Sequence, residues 1–388
     1  MKSEKLGLNT ICTHIGEVKD EQFKGAVSPL FMSSSYAYED VEVKRYPRYF
    51  NTPNQEALCR KIARLEKCEA GLIFGSGMAA VSTAMLAFLQ KGDHVVLPQT
   101  LYGGTYNFVV EEFHKFGIEY SFAEGFSEAD FSEKIQKNTK VLFVETPSNP
   151  LMRITDLEMI SKLAKQHGLI TMIDNTFASP VNQTPADFGI DIMIHSATKY
   201  MGGHSDILAG AVAASEEHIK KIWNLAKNLG GSLSDYTVWL LERSMKTMVL
   251  RVRAQNKNAK KMAKWLDGHP LVEKVYYPGL KTHPDHGLAK KQMSGYTGML
   301  SFEISEYLNV DEFLKGLKMI KPSMSLAGVE STILSPTKTS HALLSAEERK
   351  RQNISDGLLR FSVGIEETED IIADLEGAFE KVSKKNIV

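Results

Sequence analysis

The chain runs Ile190-Asp191-Ile192-Met193-Ile194 and then His195-Ser196-Ala197-Thr198-Lys199-Tyr200-Met201-Gly202-Gly203-His204-Ser205-Asp206, so that a strand of buried character delivers one lysine to its end. Most lysines are solvated surface charges. One flanked by small hydroxyl residues directly after such a strand is poorly placed for that role. Ser196 and Thr198 just before it, and the flexible Gly202-Gly203 just after, suit a phosphate-bearing aldehyde held as an imine on Lys199. Burial also lowers an amine's pKa, as a Schiff-base nucleophile requires.

Outward from this stretch, strands and helices alternate. Strands are expected at 94–98, 118–122, 141–145 and 169–174, with helices at 105–116 and 156–167, an α/β layout with a largely parallel sheet. Upstream, Leu58, Ile62 and Leu65 mark a helix beginning near Asn54, and the segment from Gly71 to Ala80 reads as strand, glycine turn and new helix. The first fifty residues lack periodicity and end in Tyr46-Pro47-Arg48-Tyr49-Phe50-Asn51-Thr52-Pro53, which suits an extended arm better than a helix. Downstream, Trp239, Leu240, Met245, Met248, Val249 and Val252 recur at helical spacing and predict one long helix over 234–266, a bridge to a second domain. That domain has strands at 272–276, 298–304 and 358–363 and a final helix over 367–381. The expected organisation is an arm over 1–53 that contacts a neighbouring subunit, an α/β cofactor domain over 54–242 and a smaller α/β domain over 243–388.

Composition narrows the function classes. The 388 residues are 43% apolar and 24% charged, which is ordinary for a soluble globular protein with more than one domain. With 46 basic and 47 acidic side chains the net charge of −1 gives no electrostatic case for nucleic acid or a membrane surface, and small-molecule chemistry is expected. No apolar run has the length of a signal peptide or a membrane span, so a cytoplasmic location is the expectation. Cys12, Cys59 and Cys68 show no Cys-x-x-Cys spacing and read as reduced thiols.

The candidate site residues cluster at strand ends. Asp174 closes a strand, where ligands of open α/β sheets bind. It either caps the turn at Asn175-Thr176 or holds a pyridine nitrogen protonated, and Lys199, 25 positions on across one connection, favours the second role. Gly75-Ser76-Gly77-Met78 offers a helix N-terminus to a phosphate, although tight packing explains a Gly-x-Gly equally well. Arg48 is a candidate phosphate ligand or a solvated arginine. Tyr102, in Leu101-Tyr102-Gly103-Gly104-Thr105, is a cofactor-facing ring and general acid, or a core tyrosine. Arg360, inside Leu358-Leu359-Arg360-Phe361-Ser362-Val363, needs an anion, from a substrate carboxylate or a structural salt bridge. His195, His204, His283 and His286 have no metal-ligand spacing, and no metal is expected. The cofactor that fits the lysine, the carboxylate and the phosphate cradle is pyridoxal 5′-phosphate.

These residues resemble the cysteine and methionine metabolism enzymes of the aspartate aminotransferase fold type, which include cystathionine γ-synthase, cystathionine γ-lyase and methionine γ-lyase. The likeness spans nearly the whole chain. It is carried by Tyr46-Pro47-Arg48, Gly75-Ser76-Gly77-Met78, Leu101-Tyr102-Gly103-Gly104-Thr105, Glu145-Thr146-Pro147-Ser148-Asn149-Pro150, Asp174-Asn175-Thr176, Ser196 to Asp206, Tyr277-Pro278-Gly279-Leu280 and Ser325-Leu326-Ala327-Gly328-Val329-Glu330-Ser331. The resemblance implies fold type I of the pyridoxal-phosphate transferases, with a mostly parallel central sheet. It implies that Lys199 carries the cofactor and moves protons, Asp174 pairs with the pyridine nitrogen and Tyr102 stacks on the ring. Gly77, Met78, Ser196 and Thr198 bind the phosphate, which Tyr46 and Arg48 reach from a neighbouring subunit of a homotetramer. Arg360, with Asn149 and Ser325, grips the substrate carboxylate.

The implied chemistry breaks or forms the Cγ–S bond of a sulfur amino acid. Departures bear on the substrate. Met324 stands where cystathionine enzymes often carry a glutamate, Asn107 lies near a frequent arginine, Ala327 replaces a glycine, and Gly104 replaces the cysteine typical of methionine γ-lyase. Cystathionine γ-lyase or γ-synthase chemistry is the reading, with methionine γ-lyase, O-acylhomoserine sulfhydrylase and cystathionine β-lyase as alternatives. An aminotransferase of the same fold and a non-catalytic protein that binds pyridoxal phosphate are more distant ones.

Overall fold

In the computed structural model, which describes residues 6–339 and 345–385, the apolar strands of the first half of the chain gather into one seven-stranded sheet. These strands are β1 (Ala70–Phe74), β2 (His94–Pro98), β3 (Glu119–Ala123), β4 (Thr139–Glu145), β5 (Ile170–Asp174), β6 (Ile192–His195) and β7 (Gly210–Ala214), in the spatial order β1-β7-β6-β5-β4-β2-β3. Strand β7 runs antiparallel to β1 and β6, and the remaining pairs are parallel. A largely parallel sheet must be covered on both faces. Val141 and Phe143 of β4 therefore enter one core with Leu72, Val95 and Ile192, while Leu142 and Val144 enter another with Ile73, Val96 and Ile173. Each such side chain contributes roughly 1.5–3 kcal/mol by leaving water.

Three N-terminal helices are α1 (Leu8–His14), α2 (Pro53–Leu65) and α3 (Gly77–Phe88). Helix α2 starts where the sequence supplies a start signal, with Thr52 and Gln55 forming a reciprocal capping box and Pro53 in the first helical position. Helix α3 and the helix Glu216–Leu229 cover one face of the sheet, and Leu157–His167 covers the other.

A second sheet holds β8 (Val272–Tyr276), β9 (Met299–Ile304), β10 (Lys321–Pro322), β11 (Thr332–Leu334) and β12 (Leu358–Ser362), in the order β10-β11-β12-β9-β8. Its pairs are antiparallel except β10 with β11. The helix Met248–Asp267 belongs to both halves. Met248, Val249 and Val252 sit in the core under the large sheet, whereas Ala259, Met262 and Leu266 pack with Phe302, Phe361 and Phe379 under the small one.

Two expectations change. The predicted long helix over 234–266 is two helices, Asp235–Met245 and Met248–Asp267. The break follows from competition for the Ser244 carbonyl, which accepts from the Thr247 hydroxyl and the Arg251 guanidinium. The 242/243 division thus falls inside the first of these helices. The N-terminal segment, expected to be an extended arm, contains α1, pinned where Lys61 Nζ donates to Cys12 O at 2.7 Å, and a short helical turn at Pro47–Tyr49. Trp223 Nε1 holds that turn through Tyr49 O at 2.7 Å.

Candidate active site

The parallel strands β4, β5 and β6 end together, with Asp174 in register with Glu145 on one side and Ile194 on the other. Because β7 returns antiparallel, the connection from Ser196 to Ala209 stays over this carboxyl edge. The connection begins as a tight turn in which Lys199 N donates to Ser196 O at 3.1 Å and Gly203 N to Lys199 O at 2.7 Å. A cavity of about 360 Å³ opens between this edge and the second sheet. Lys199, Asp174, Tyr102 and Asn149 line it together with Gly77, Met78, Ser196 and Thr198, and Arg360 and Met324 face it from the second sheet's side.

Lys199 Nζ reaches the Ser325 hydroxyl at 3.5 Å. Burial, and then the Arg360 charge, hold its pKa below the ordinary lysine value, so its neutral form is more accessible. Asp174 Oδ1 accepts from Thr176 N at 3.0 Å. Burial raises its pKa, opposed by hydrogen bonds from Thr176 and then by His195. His195 lies beside it on β6, with Nε2 at 2.5 Å from the buried carboxylate of Glu66.

Arg360 is 6% exposed, and its Nη1 donates to Asn149 Oδ1 at 3.2 Å and its Nη2 to Ser325 O at 3.4 Å. Both partners are neutral oxygens, and burial pulls the guanidinium pKa down to about 10. A buried fork with donors of this kind is an anion receptor.

At the other end, Ser76 caps α3 by accepting from Ala79 N, and the N–H groups of Gly77 and Met78 lie in the first turn, where a helix leaves donors free. A Cβ on Gly77 would lie 2.8 Å from Ser196 Cβ, so only glycine lets the helix start meet the lysine loop. Gly210 keeps the same corner open, since a Cβ there would meet Ser76 O at 2.1 Å. The Thr198 hydroxyl donates to Ala209 O at 3.1 Å and accepts from Ala209 N at 3.0 Å, so its proton is engaged within the loop.

The rim is open. Tyr102 is 48% exposed and Met324 77% exposed, with Leu208 also exposed beside them, while Leu334 is a buried part of the cavity wall. Tyr46 and Arg48 lie outside the cavity of their own chain. Arg48 Nη1 donates to Lys227 O, and Tyr46 packs edge-on against Tyr49. Among the described residues no three His, Cys, Asp or Glu side chains are grouped to hold a metal ion, and no helix is long and apolar enough to cross a membrane.

Glu145 is a cavity residue that sequence reasoning did not single out. Its Oε2 accepts from Tyr102 N at 2.7 Å, and burial together with Asp174 raises its pKa well above the usual carboxylate range. It ends an apolar strand as Asp174 does, and the same strand-end signal marks it. Ser76 and Thr176 were equally legible as cap and turn residues.

Comparison with known proteins gives the same direction. The family model for Cys/Met metabolism PLP-dependent enzymes matches residues 9–380. The chain is 42% identical to the cystathionine γ-lyase of Bacillus subtilis strain 168 over 96% of its own length and 99% of that protein. It is 40% identical to a cystathionine β-lyase of Lactococcus lactis subsp. cremoris strain MG1363, over 94% and 97% of the two chains. The crystal structure of cystathionine γ-lyase from Lactobacillus plantarum complexed with L-serine matches with a TM-score of 0.94 at 37% identity, covering 97% of this chain and 100% of that one. The chain therefore belongs to the Cys/Met metabolism family of pyridoxal-phosphate-dependent enzymes.

Proposed function

We propose that this enzyme breaks or forms the Cγ–S bond of a sulfur amino acid, as a cystathionine γ-lyase or γ-synthase does, in the cytoplasm and as a homotetramer whose subunits share active sites. The observation that carries the reading is the convergence of Lys199, Asp174 and the buried Arg360 fork on one cavity with apolar walls at its mouth.

Pyridoxal phosphate fits the residues present. Gly77 and Met78 through their free N–H groups, with Ser196, would hold its phosphate in the corner that Gly77 and Gly210 leave clear, and Thr198 would join them by turning its hydroxyl proton away from Ala209 O. When bound, the cofactor supplies an electron sink for negative charge at the substrate Cα. Lys199 is its attachment point. Asp174, fixed by Thr176, would hold the cationic ring nitrogen. Tyr102 would cover the ring face, and Tyr46 and Arg48 would reach the phosphate of a neighbouring subunit.

Arg360 binds the substrate α-carboxylate, aided by Asn149 and Ser325. This sets the Cα proton toward Lys199. The depressed pKa of Lys199 enlarges the share of neutral amine able to take that proton; only after giving that proton up is the amine neutral again and able to take one from Cβ. Tyr102 or Lys199 returns a proton to the departing sulfur. Glu145 holds the Tyr102 backbone in place through its 2.7 Å hydrogen bond.

The test is product analysis with the loaded enzyme, given L-cystathionine and L-methionine separately. Release of 2-oxobutyrate from cystathionine is expected. Pyruvate from cystathionine would replace the γ reading with cystathionine β-lyase, which the Lactococcus relative supports. Preference for methionine would assign the apolar rim at Met324 to a methyl thioether. Silence with both substrates would overturn C–S cleavage in favour of replacement on an acylhomoserine.

A further inference from the structure

Arg251 lies on the helix Met248–Asp267, outside the cavity lining, and is buried. Its hydrogen bonds go to neutral acceptors. Nη1 donates to Tyr200 O at 3.0 Å, Nη2 to Met201 O at 3.3 Å and to Ser244 O at 3.1 Å, and Nε to the Thr247 hydroxyl at 3.3 Å. Burying a cation among neutral carbonyls is costly compared with an apolar side chain of similar size. Its pKa is accordingly pulled down to about 10 by burial.

Two of those carbonyls belong to the residues directly after Lys199. The turn carrying the lysine closes through Gly202 N to Ala197 O at 2.8 Å and Gly203 N to Lys199 O at 2.7 Å, and the guanidinium covers its exit. Basic side chains serve helix C-termini in this way, by bonding the last carbonyls. The fit is close. Gly203 has φ +71°, and a Cβ on it would fall 1.7 Å from Arg251 Nη1, so glycine is needed there both for conformation and for room. On the opposite side the Tyr200 hydroxyl accepts from Gly298 N at 3.1 Å, at the start of β9. The Lys199 backbone is thus held by a cation from the bridging helix and anchored to the second sheet.

We infer that Arg251 is a positioning residue for Lys199, its guanidinium capping the lysine turn and fastening it to the junction between the helices Asp235–Met245 and Met248–Asp267. The inference rests on the proposed role of Lys199. It extends that role by saying that the lysine is aimed before the cofactor arrives, by a side chain that touches neither cofactor nor substrate.

The first test is hydrogen exchange in the full-length wild-type chain freed of cofactor. The Gly202 and Gly203 amides are expected to exchange at least about a hundredfold more slowly than in an unfolded chain, as stable local structure requires. Exchange at the unfolded rate would overturn the proposal. The second is Arg251→Lys, which keeps the charge and loses the fork. In its cofactor-free form the Lys199 amine, titrated by trace acetylation and mass spectrometry, is expected to shift its midpoint upward by about half a pH unit or more, roughly threefold in protonation equilibrium, as the loosened turn lets water reach it. The charged cavity groups around it, Arg360, Asp174 and Glu145, are unchanged in this variant.

A merely structural Arg251 would lower the melting temperature and leave that midpoint alone. An unmoved midpoint in the folded variant overturns the proposal. Should Arg251→Lys not fold, the wild-type exchange result decides. Borohydride reduction of loaded wild-type protein separates the two readings. Cofactor fixed elsewhere than Lys199 sinks the lysine's assigned role, whatever the exchange result.

Discussion

Lys61 and Lys199 are both withdrawn from solvent, and their surroundings differ in kind. Lys61 is 0% exposed, donates to Cys12 O and Glu242 Oε1, and locks α1 onto α2 and the helix Asp235–Met245. Lys199 reaches only as far as a serine hydroxyl at 3.5 Å, and the charge that acts on it is the like charge of Arg360. One amine is satisfied by its neighbours and the other is kept short of partners beside a cavity. Burial alone does not mark chemistry; burial without a counter-charge at the wall of a cavity does, as Lys199 shows and Arg251, outside the lining, does not.

The sharpest way to break this comparison is to remove each lysine. Lys199→Ala should lower turnover by about 10⁴-fold or more, since a general base alone contributes up to that order, and should abolish borohydride-fixable cofactor while the melting temperature moves little. Lys61→Ala should do the reverse. Leaving buried Glu242 with only Lys246, 3.8 Å away, should cost up to about 3 kcal/mol in denaturant unfolding, with turnover per folded molecule unchanged. Turnover falling with Lys61, or stability collapsing with Lys199, would erase the distinction.

Smaller effects sharpen it. Asp174→Asn should keep the cofactor and slow turnover on the order of 10²–10³-fold, the usual cost of removing one fixed electrostatic group, and near-normal rates would strip Asp174 of its assigned role. Arg360→Lys should raise KM roughly 10-fold or more by losing a charge-assisted bidentate contact. Its neutral counterpart Arg360→Gln removes one of the two causes that depress Lys199, so the lysine midpoint in the cofactor-free chain must move up in pH, and a downward move would contradict the electrostatic picture. Met324→Glu, on an exposed rim, should favour a substrate with a distal ammonium over L-methionine by no more than about fivefold in kcat/KM, the ceiling for a solvated pair.

Six strands of the large sheet were legible from their apolar runs, and the cavity residues because they punctuate those runs; β7, Gly210–Ala214, built of glycine, alanine and one valine, gave no such signal. Ile190 to Ile194 followed by Lys199, and Leu169 to Ile173 followed by Asp174, are such junctions. Glu145 ends β4 in the same fashion and was passed over, since its own sequence neighbours suggest a turn and the Asp174 carboxyl beside it belongs to another strand. The helix break near Thr247 was hidden for a related reason. Apolar spacing continues across it, and what interrupts the backbone is a side chain, Arg251, whose target carbonyls include two some fifty positions upstream. Periodicity records which face is buried and carries no information about which carbonyl a distant guanidinium takes.

The helix Met248–Asp267, with one end in each core, bears on how the molecule comes apart under heat. Neither half can melt without stripping an apolar stripe from a rod that the other half is still gripping. Differential scanning calorimetry should therefore give a single endotherm whose calorimetric and van't Hoff enthalpies agree per cooperative unit, and a gene divided within this helix should yield two fragments that remain insoluble until they are expressed together.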